Sequence, residues 1–336
     1  MDLKFGITFL PSHPTEFQEW CRAAEDSGFD ILGIADSQSV YRELYVSMAI
    51  TAQNTKSIPF GPRVTNPLTR HPAVTASGIA TLDEMAPGRT FVGIGTGDSA
   101  LAAIGEKGVN LKTLREYVVA VRGLMAGEVI NYRGKDMRLA WAKGKIPIHI
   151  SAHGPKTLRL AGAVADAVVV GTGFTPEVVP DTLAQIRAGA EEAGRDFDSV
   201  DIWWWGHINI GKNRDQALQD LLPALCAAGN HLTRFTHEGK HIPPELLDSF
   251  QKLRTAYQVE DHFNPGGTSV NARIVEDLGL RDYLADRFAI AGSPAECAER
   301  IHQLAERGVT HIWTPPSFTD KMAFMKSWAT EVMPKV

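Results

Sequence analysis

The stretch Gly61-Pro62-Arg63-Val64-Thr65-Asn66-Pro67-Leu68-Thr69-Arg70-His71-Pro72 sets a β-branched pair and a polar amide between prolines. It falls where a buried strand should end and a helix begin. In an α/β barrel such a junction holds cofactors and substrates. The stretch therefore points to an enzyme rather than a structural or nucleic-acid-binding protein.

On both sides of it, strand-like and helix-like segments alternate. Residues 4–10 read as a strand. Residues 15–28 place Phe17, Trp20, Cys21 and Ala24 on one helical face. Strands follow at 31–35, 58–64 and 90–95, with helices at 41–54 and 71–85, the latter stopped by Pro87 and Gly88. The helix at 111–126 turns Leu114, Tyr117, Val118, Val121 and Met125 inward and stops at Gly127. Further strands read at 148–151, 167–171, 200–210 and 311–314, with helices at 156–164, 176–193, 294–307 and 320–331. The strands are short and dense in Val and Ile, as when both faces are covered. Alternation at this spacing implies parallel strands with right-handed crossovers. Eight such units predict a (β/α)8 TIM barrel, with an open doubly wound sheet as the competitor. Gly95 and Gly97 lack the third glycine of a dinucleotide fingerprint.

From about residue 229 to 288 the rhythm breaks. The segment is polar, carries His231, His237, His241 and His262, and holds the turn-rich run Asn264-Pro265-Gly266-Gly267-Thr268-Ser269. It predicts an insertion between the seventh and eighth strands of a single domain spanning 1–336. It reads either as a lid over a substrate pocket or as a surface elaboration or dimer contact.

Composition bounds the partners. Lys and Arg total 34 against 39 Asp and Glu, a formal charge of −5, with no long basic run. That argues against nucleic acid and anionic membranes and leaves a small-molecule substrate. Cys21, Cys226 and Cys297 form neither a disulfide framework nor a metal cluster, which suggests a reducing, cytoplasmic setting. The N-terminus lacks the apolar core of a signal peptide. No apolar run reaches the length of a membrane span.

The predicted strand ends supply the candidate residues. Asp36 and Ser37 follow the second strand, where Asp36 could orient a reacting group, accept a proton or cap a helix. Asn66 after the third offers an amide that donates and accepts. Arg70 and His71 open the next helix and read as structural, since a cation there opposes the helix dipole unless an anion is near. After the fourth strand, Gly95, Thr96, Gly97 and Asp98 allow close backbone approach to a flat ligand, with Asp98 as a cap or supporting partner. After the fifth, Ser151, His153, Gly154, Pro155 and Lys156 present free amides at a helix start, a ready anion site. Lys156 and Arg159 stand in or near that first turn, where a phosphate would offset the dipole. Gly171 and Thr172 end the sixth strand and complete a plausible phosphate cradle. On the seventh, alternation sends Trp204 to one face and Trp203, Trp205 and His207 to the other. His237 and His241 have helical metal spacing, but Gly239 interrupts them and no third ligand is evident, so solvated loop histidines are expected.

The runs 64–76, 80–84 with Gly88-Arg89, Gly93-Ile94-Gly95-Thr96-Gly97-Asp98, 154–162 with Asp166-Ala167, and Gly292-Ser293-Pro294 with Glu296-Cys297 carry a resemblance. The chain resembles the bacterial luciferase-like flavin oxidoreductase superfamily, and within it the branch related to methylenetetrahydromethanopterin reductase. The likeness runs from residue 4 to 316. It implies a dimeric or tetrameric barrel with FMN or the deazaflavin coenzyme F420 at its mouth. It also implies a non-prolyl cis peptide at the end of the third strand, here Arg63–Val64, with Arg63 where glycine is commoner. Ser37 stands where many members carry a histidine, so proton chemistry would shift to Asp36, His153 or His207.

On that resemblance the leading expectation is a monooxygenase using reduced FMN delivered by a separate flavin reductase. Asn66 and the 95–98 backbone would hold the ring, with Arg63 and Val64 beside it. Residues 151–156 with Gly171 and Thr172 would hold the phosphate. Asp36, Ser37 and His207 would face substrate, and no metal is called for. The alternatives are a deazaflavin-dependent reductase moving a hydride, and a flavin-binding protein without turnover.

Overall fold

The computed structural model describes residues 2–234, 236–259, 261, 269–316 and 320–336. The chain opens with β1 (Lys4–Phe9), α1 (Pro14–Asp26), β2 (Ile31–Ile34), α2 (Leu44–Asn54), β3 (Phe60–Pro62), α3 (Pro72–Met85) and β4 (Val92–Ile94). A short α4 (Ser99–Ala102) and α5 (Leu111–Met125) precede a hairpin of β5 (Ile130–Tyr132) and β6 (Lys135–Met137). Then come β7 (Ile148–Ala152), α6 (Pro155–Val164), β8 (Ala167–Val170), α7 (Val178–Glu192), β9 (Asp201–Trp205) and β10 (His207–Ile210). Four helices follow, α8 (Arg214–Thr233), α9 (Leu247–Ala256), α10 (Val270–Asp277) and α11 (Arg281–Phe288). The chain ends with β11 (Ala289–Gly292), α12 (Pro294–Glu306), β12 (His311–Thr314) and α13 (Lys321–Ser327).

The barrel sheet runs β3-β2-β1-β12-β9-β8-β7-β4, and its strand pairs are parallel. Single bridges from Phe60 to Thr90 and from Thr65 to Ile94 join β3 to β4 and close the ring. This is the TIM barrel that the alternation predicts. All four residues of β8 are buried, as both-face burial of an Ala-Val-Val-Val strand requires. Local signals set the helix starts. On α12, the Glu296 carboxylate accepts the Ser293 amide at 2.7 Å, and Ser293 Oγ accepts the Glu296 amide at 3.4 Å, a reciprocal cap of two orphan donors.

Two apolar layers flank the strands. The outer one lies between strands and helices and includes Trp204. Inside the cylinder, Ile31, Phe91, Ala167, Val169, Trp203 and Trp313 pack together, with Trp205 against them. His149 joins this filling by stacking on Phe91 at 4.3 Å between ring centres. The Trp203-Trp204-Trp205 alternation thus falls as the strand period requires.

The insertion is where the sequence misleads. Its helices begin at Arg214 rather than near 229, and they share an apolar core of their own, including Leu221, Leu225, Phe250, Val275 and Leu284. Amphipathic surface helices expose their polar face, so their average composition resembles that of a loop. Past Gly206 the seventh strand leaves the barrel sheet, and β10 pairs in parallel with β11, from His207 opposite Ala289 to Ile210 opposite Gly292. That pair brings the two ends of the insertion together. His237 and His241 lie outside any helix, and no cluster of three metal-ligating side chains occurs among the described residues. His262 and residues 264–268 of the turn-rich run lie outside the described residues. Among the described residues, no helix is long and apolar enough to cross a membrane.

Candidate functional site

The sheet order makes the loops after β3, β4, β7 and β8 neighbours around the mouth. Asn66, the 95–98 backbone, the 151–156 turn and the Gly171–Thr172 pair, far apart in sequence, therefore form one arc. The loops after β2 and β9, with Asp36, Ser37 and His207, complete the rim.

At the β3 end the Arg63–Val64 peptide is cis. Thr65 links two strands: its amide donates to the Gly93 carbonyl at 2.9 Å, and its carbonyl accepts from the Gly95 amide at 3.0 Å. Asn66 is buried, and its Oδ1 accepts the amides of Leu68 and Thr69 at 3.0 and 2.9 Å. That turn fixes the side chain, while Nδ2 donates to no described residue. The Thr96 carbonyl accepts the Val109 amide at 2.8 Å, and Gly97 sits at φ +97, a conformation that favours glycine.

Asp98 makes no side-chain cap on α4. Its carboxylate instead meets His231 Nδ1 at 3.2 Å and the Arg234 guanidinium, both on or beside α8. The residue reads from sequence as a contact in the cofactor arc; its side chain is committed to the insertion.

Around the predicted cradle, α6 starts at Gly154 without a side-chain cap. Pro155 has no N–H, and Gly154's carbonyl accepts the amides of Thr157 and Leu158. Lys156 is exposed in the first turn. Arg159 corrects the sequence reading: it pairs with Gln185 and Glu192 of α7, at 2.9 and 3.0 Å. At Gly171 a Cβ would overlap the His153 ring, so a glycine there admits the imidazole. Thr172 Oγ1 is engaged with Thr182 Oγ1 at 3.0 Å, and its carbonyl accepts from Arg287 Nε at 2.8 Å. Ser151 Oγ lies 3.3 Å from His153 Nε2. Burial, with His231, Lys240 and Arg63 as positive neighbours, pushes the His153 pKa down to about 3. The ring is neutral at neutral pH.

Asp36 is buried and both its carboxylate oxygens are engaged. It accepts from Thr65 Oγ1 at 2.7 Å and from both terminal nitrogens of Arg70, at 2.6 and 3.2 Å. Arg70 also reaches Glu43 at 3.0 Å. Such a bidentate pair fixes geometry more than it frees a base. Ser37 is buried beside it in sequence, and its Oγ has no described partner. His207 is buried on β10, its ring 6.0 Å from that of Trp205.

A family profile described as luciferase-like monooxygenase matches residues 4–311. The chain belongs to that luciferase-like family. Two 5,10-methylenetetrahydromethanopterin reductases are similar to it along nearly their whole length. The protein from Archaeoglobus fulgidus is 33% identical, covering 99% of this chain and 100% of its own. The one from Methanolobus tindarius is 32% identical, covering 92% and 93%. A solved structure described as coenzyme F420 dependent tetrahydromethanopterin reductase from Methanopyrus kandleri superposes with a TM-score of 0.77 at 26% identity, covering 99% of both chains. This luciferase-like protein is an oxidoreductase.

Three luciferase-like site neighbours escape sequence reading because the insertion supplies them. Lys240 is buried; its Nζ donates to the Leu232 carbonyl at 2.6 Å, and its Cε lies 3.8 Å from where a Gly154 Cβ would stand. Burial and the nearby Arg287 charge push its pKa down to about 8. Arg287, wholly buried, donates to the carbonyls of Thr172, His241 and Lys240. His231 brings its ring centre within 6.3 Å of His153. A polar, histidine-rich segment gives no local signal for which of its groups turns inward.

Proposed function

We propose that this chain is a deazaflavin-dependent oxidoreductase that uses coenzyme F420 to transfer a hydride to or from a small organic substrate. The observation that carries the reading is the end-to-end likeness to methylenetetrahydromethanopterin reductases and to a solved tetrahydromethanopterin reductase described as dependent on coenzyme F420. It favours the hydride-transfer alternative over a monooxygenase fed with reduced FMN by a separate reductase, and over a binding protein without turnover.

The residues at the mouth fit such a group. Asn66 Nδ2 is a held, unspent donor for the acceptor edge of a flat ring. The uncapped α6 start and the buried Lys240 beside Gly154 suit a phosphate. A bound deazaflavin supplies a carbon centre that carries two electrons as hydride, while the protein supplies binding and orientation. Asn66 and the Gly95–Gly97 backbone orient the ring. Lys240 and the amide of Lys156 hold the anionic tail. His153 offers a neutral imidazole, and the Arg70–Asp36 pair braces the β2 and β3 loops. Ser37 and His207 face the substrate side. The insertion excludes water from above.

Titration of the purified protein with F420 and with FMN, followed by each cofactor's absorbance, tests the reading. F420 should bind at least tenfold more tightly. Its affinity should fall as pH rises through about 8, where Lys240 loses its proton, and Lys240→Met should flatten that dependence. Preferential binding of reduced FMN with oxygen uptake on adding substrate would overturn it.

A further inference from the structure

Arg63 leaves β3 at the mouth, and its side chain turns toward β1, β2, β9 and β12. Its side chain lies over Gly33 of β2: a Cβ there would be 2.5 Å from Arg63 Cβ and 2.8 Å from Thr8 Oγ1. Only a glycine lets the arginine take this path. The guanidinium carbon comes to rest 4.3 Å from the Trp205 ring centre and 5.4 Å from that of Trp313. These contacts belong to β1, β2, β9 and β12, a run of strands adjacent in the sheet. The cradle belongs to β4, β7 and β8.

Indole faces attract a cation without accepting its N–H donors in the plane. No described residue accepts a hydrogen bond from this guanidinium, and its Nε is buried without a partner. The acid that follows β2, Asp36, pairs with Arg70 and Thr65 and accepts nothing from Arg63. Burial without an anion pushes the Arg63 pKa down to about 9. Two further polar atoms, one on β1 and one in the loop after β2, share the condition. Thr8 Oγ1 and Ser37 Oγ belong to residues only 2% exposed, and neither has a described partner. Buried polar groups are normally paired, so three orphans on one side of a site call for a ligand.

We propose that Arg63, with Thr8 and Ser37, forms a subsite for an anionic oxygen group on the substrate, a carboxylate or a phosphate ester. The planar fork suits either oxyanion by paired N–H donation. The tryptophans hold the guanidinium in place beforehand, which lowers the ordering cost on binding. An acid group anchored there would set which end of the substrate points at the cofactor. The inference rests on the mouth being the substrate site, as proposed above, but its test does not depend on which cofactor binds.

Succinate and inorganic phosphate, transparent in the tryptophan region, are titrated into the protein while intrinsic emission is followed. Trp205 lies close enough to the guanidinium to report. Saturable quenching by one or both is expected, succinate assigning a carboxylate and phosphate a phosphoryl group. Arg63→Met, which keeps the packing between the indoles, should weaken it about tenfold or more. Gly33→Ala, which displaces the arginine without removing it, should do the same. Thermal melts establish that both variants fold. F420 affinity is measured in parallel in wild type and Arg63→Met. No saturation in the wild type, or equal anion affinity in Arg63→Met, overturns the proposal. So does joint loss of anion and cofactor binding, which would assign Arg63 to the cofactor. Anion binding that depends on Arg63, in a protein that takes up no F420, would sink the function proposed above and leave this subsite standing.

Discussion

Asp36 shows how a residue can read as a proton acceptor and serve as a brace. Its carboxylate is nearly inaccessible, and Arg70 and Thr65 use its oxygens. Arg70→Ala leaves a buried carboxylate with one hydroxyl for company. It should cost about 3–5 kcal/mol of stability, read from urea midpoints, and should loosen the β2 and β3 loops enough to lower turnover. His149 gives a pH signature. Burial, chiefly, pushes its pKa from 6.5 to about 3. The unfolded chain takes up this proton near pH 6.5 and the folded one only near 3. Stability is therefore lost as pH falls between those values, by about 1.4 kcal/mol per unit. His149→Phe keeps the stack on Phe91 and should make the decline from pH 6.5 to 4 shallower in urea melts. At this scale, legibility follows locality. Asn66 and the glycines after β4 announce themselves because their roles lie in their own backbone. The partner of Asp36 is 34 positions away, and nothing in the intervening sequence names it.

Single elements show the same contrast. Helices α1, α3, α5 and α12 and the barrel strands are legible within a few residues, since period and caps are written along each segment. The start of β3 is not secured by its own residues but by α1. Glu25 accepts the amides of Lys56, Ser57 and Ile58 and the Ser57 hydroxyl. Partial burial works against its charge, and those donors outweigh it, lowering its pKa from 4.5 to about 2. The folded state thus gains above pH 4.5 and loses that gain as pH falls toward 2. Glu25→Gln should be less stable than wild type at pH 7, with the gap narrowing below pH 4.5 and closing only near pH 2, as chemical denaturation across that range would reveal. The four insertion helices are the element-level failure. Their apolar faces pair with one another, and a composition average over 60 residues hides that.

Across the whole molecule, side chains tie the insertion to barrel loops. Asp98 after β4 meets His231 and Arg234, and Arg287 reaches Thr172 after β8. Arg287→Met strands several buried carbonyls, so it should lower the melting temperature and speed proteolysis in the segment between α8 and α9. Its effect on F420 affinity would measure how far the insertion shapes the cradle. Assembly is a separate matter. Val46, Leu68 and Val74 are exposed on α2, the β3 loop and α3, elements that adjoin in the ring. We expect them to meet a second copy in a homodimer or homotetramer. Light scattering should give a multiple of 36.6 kDa, and Val46→Asp with Val74→Asp should reduce it toward the monomer.

The aromatic filling around Trp203, Trp313, Phe91 and His149 stops the cylinder from being a tunnel. Among the described residues it is a cup rather than a pipe. A cofactor and a substrate held at the mouth would meet from the same side of the strands, never from opposite ends.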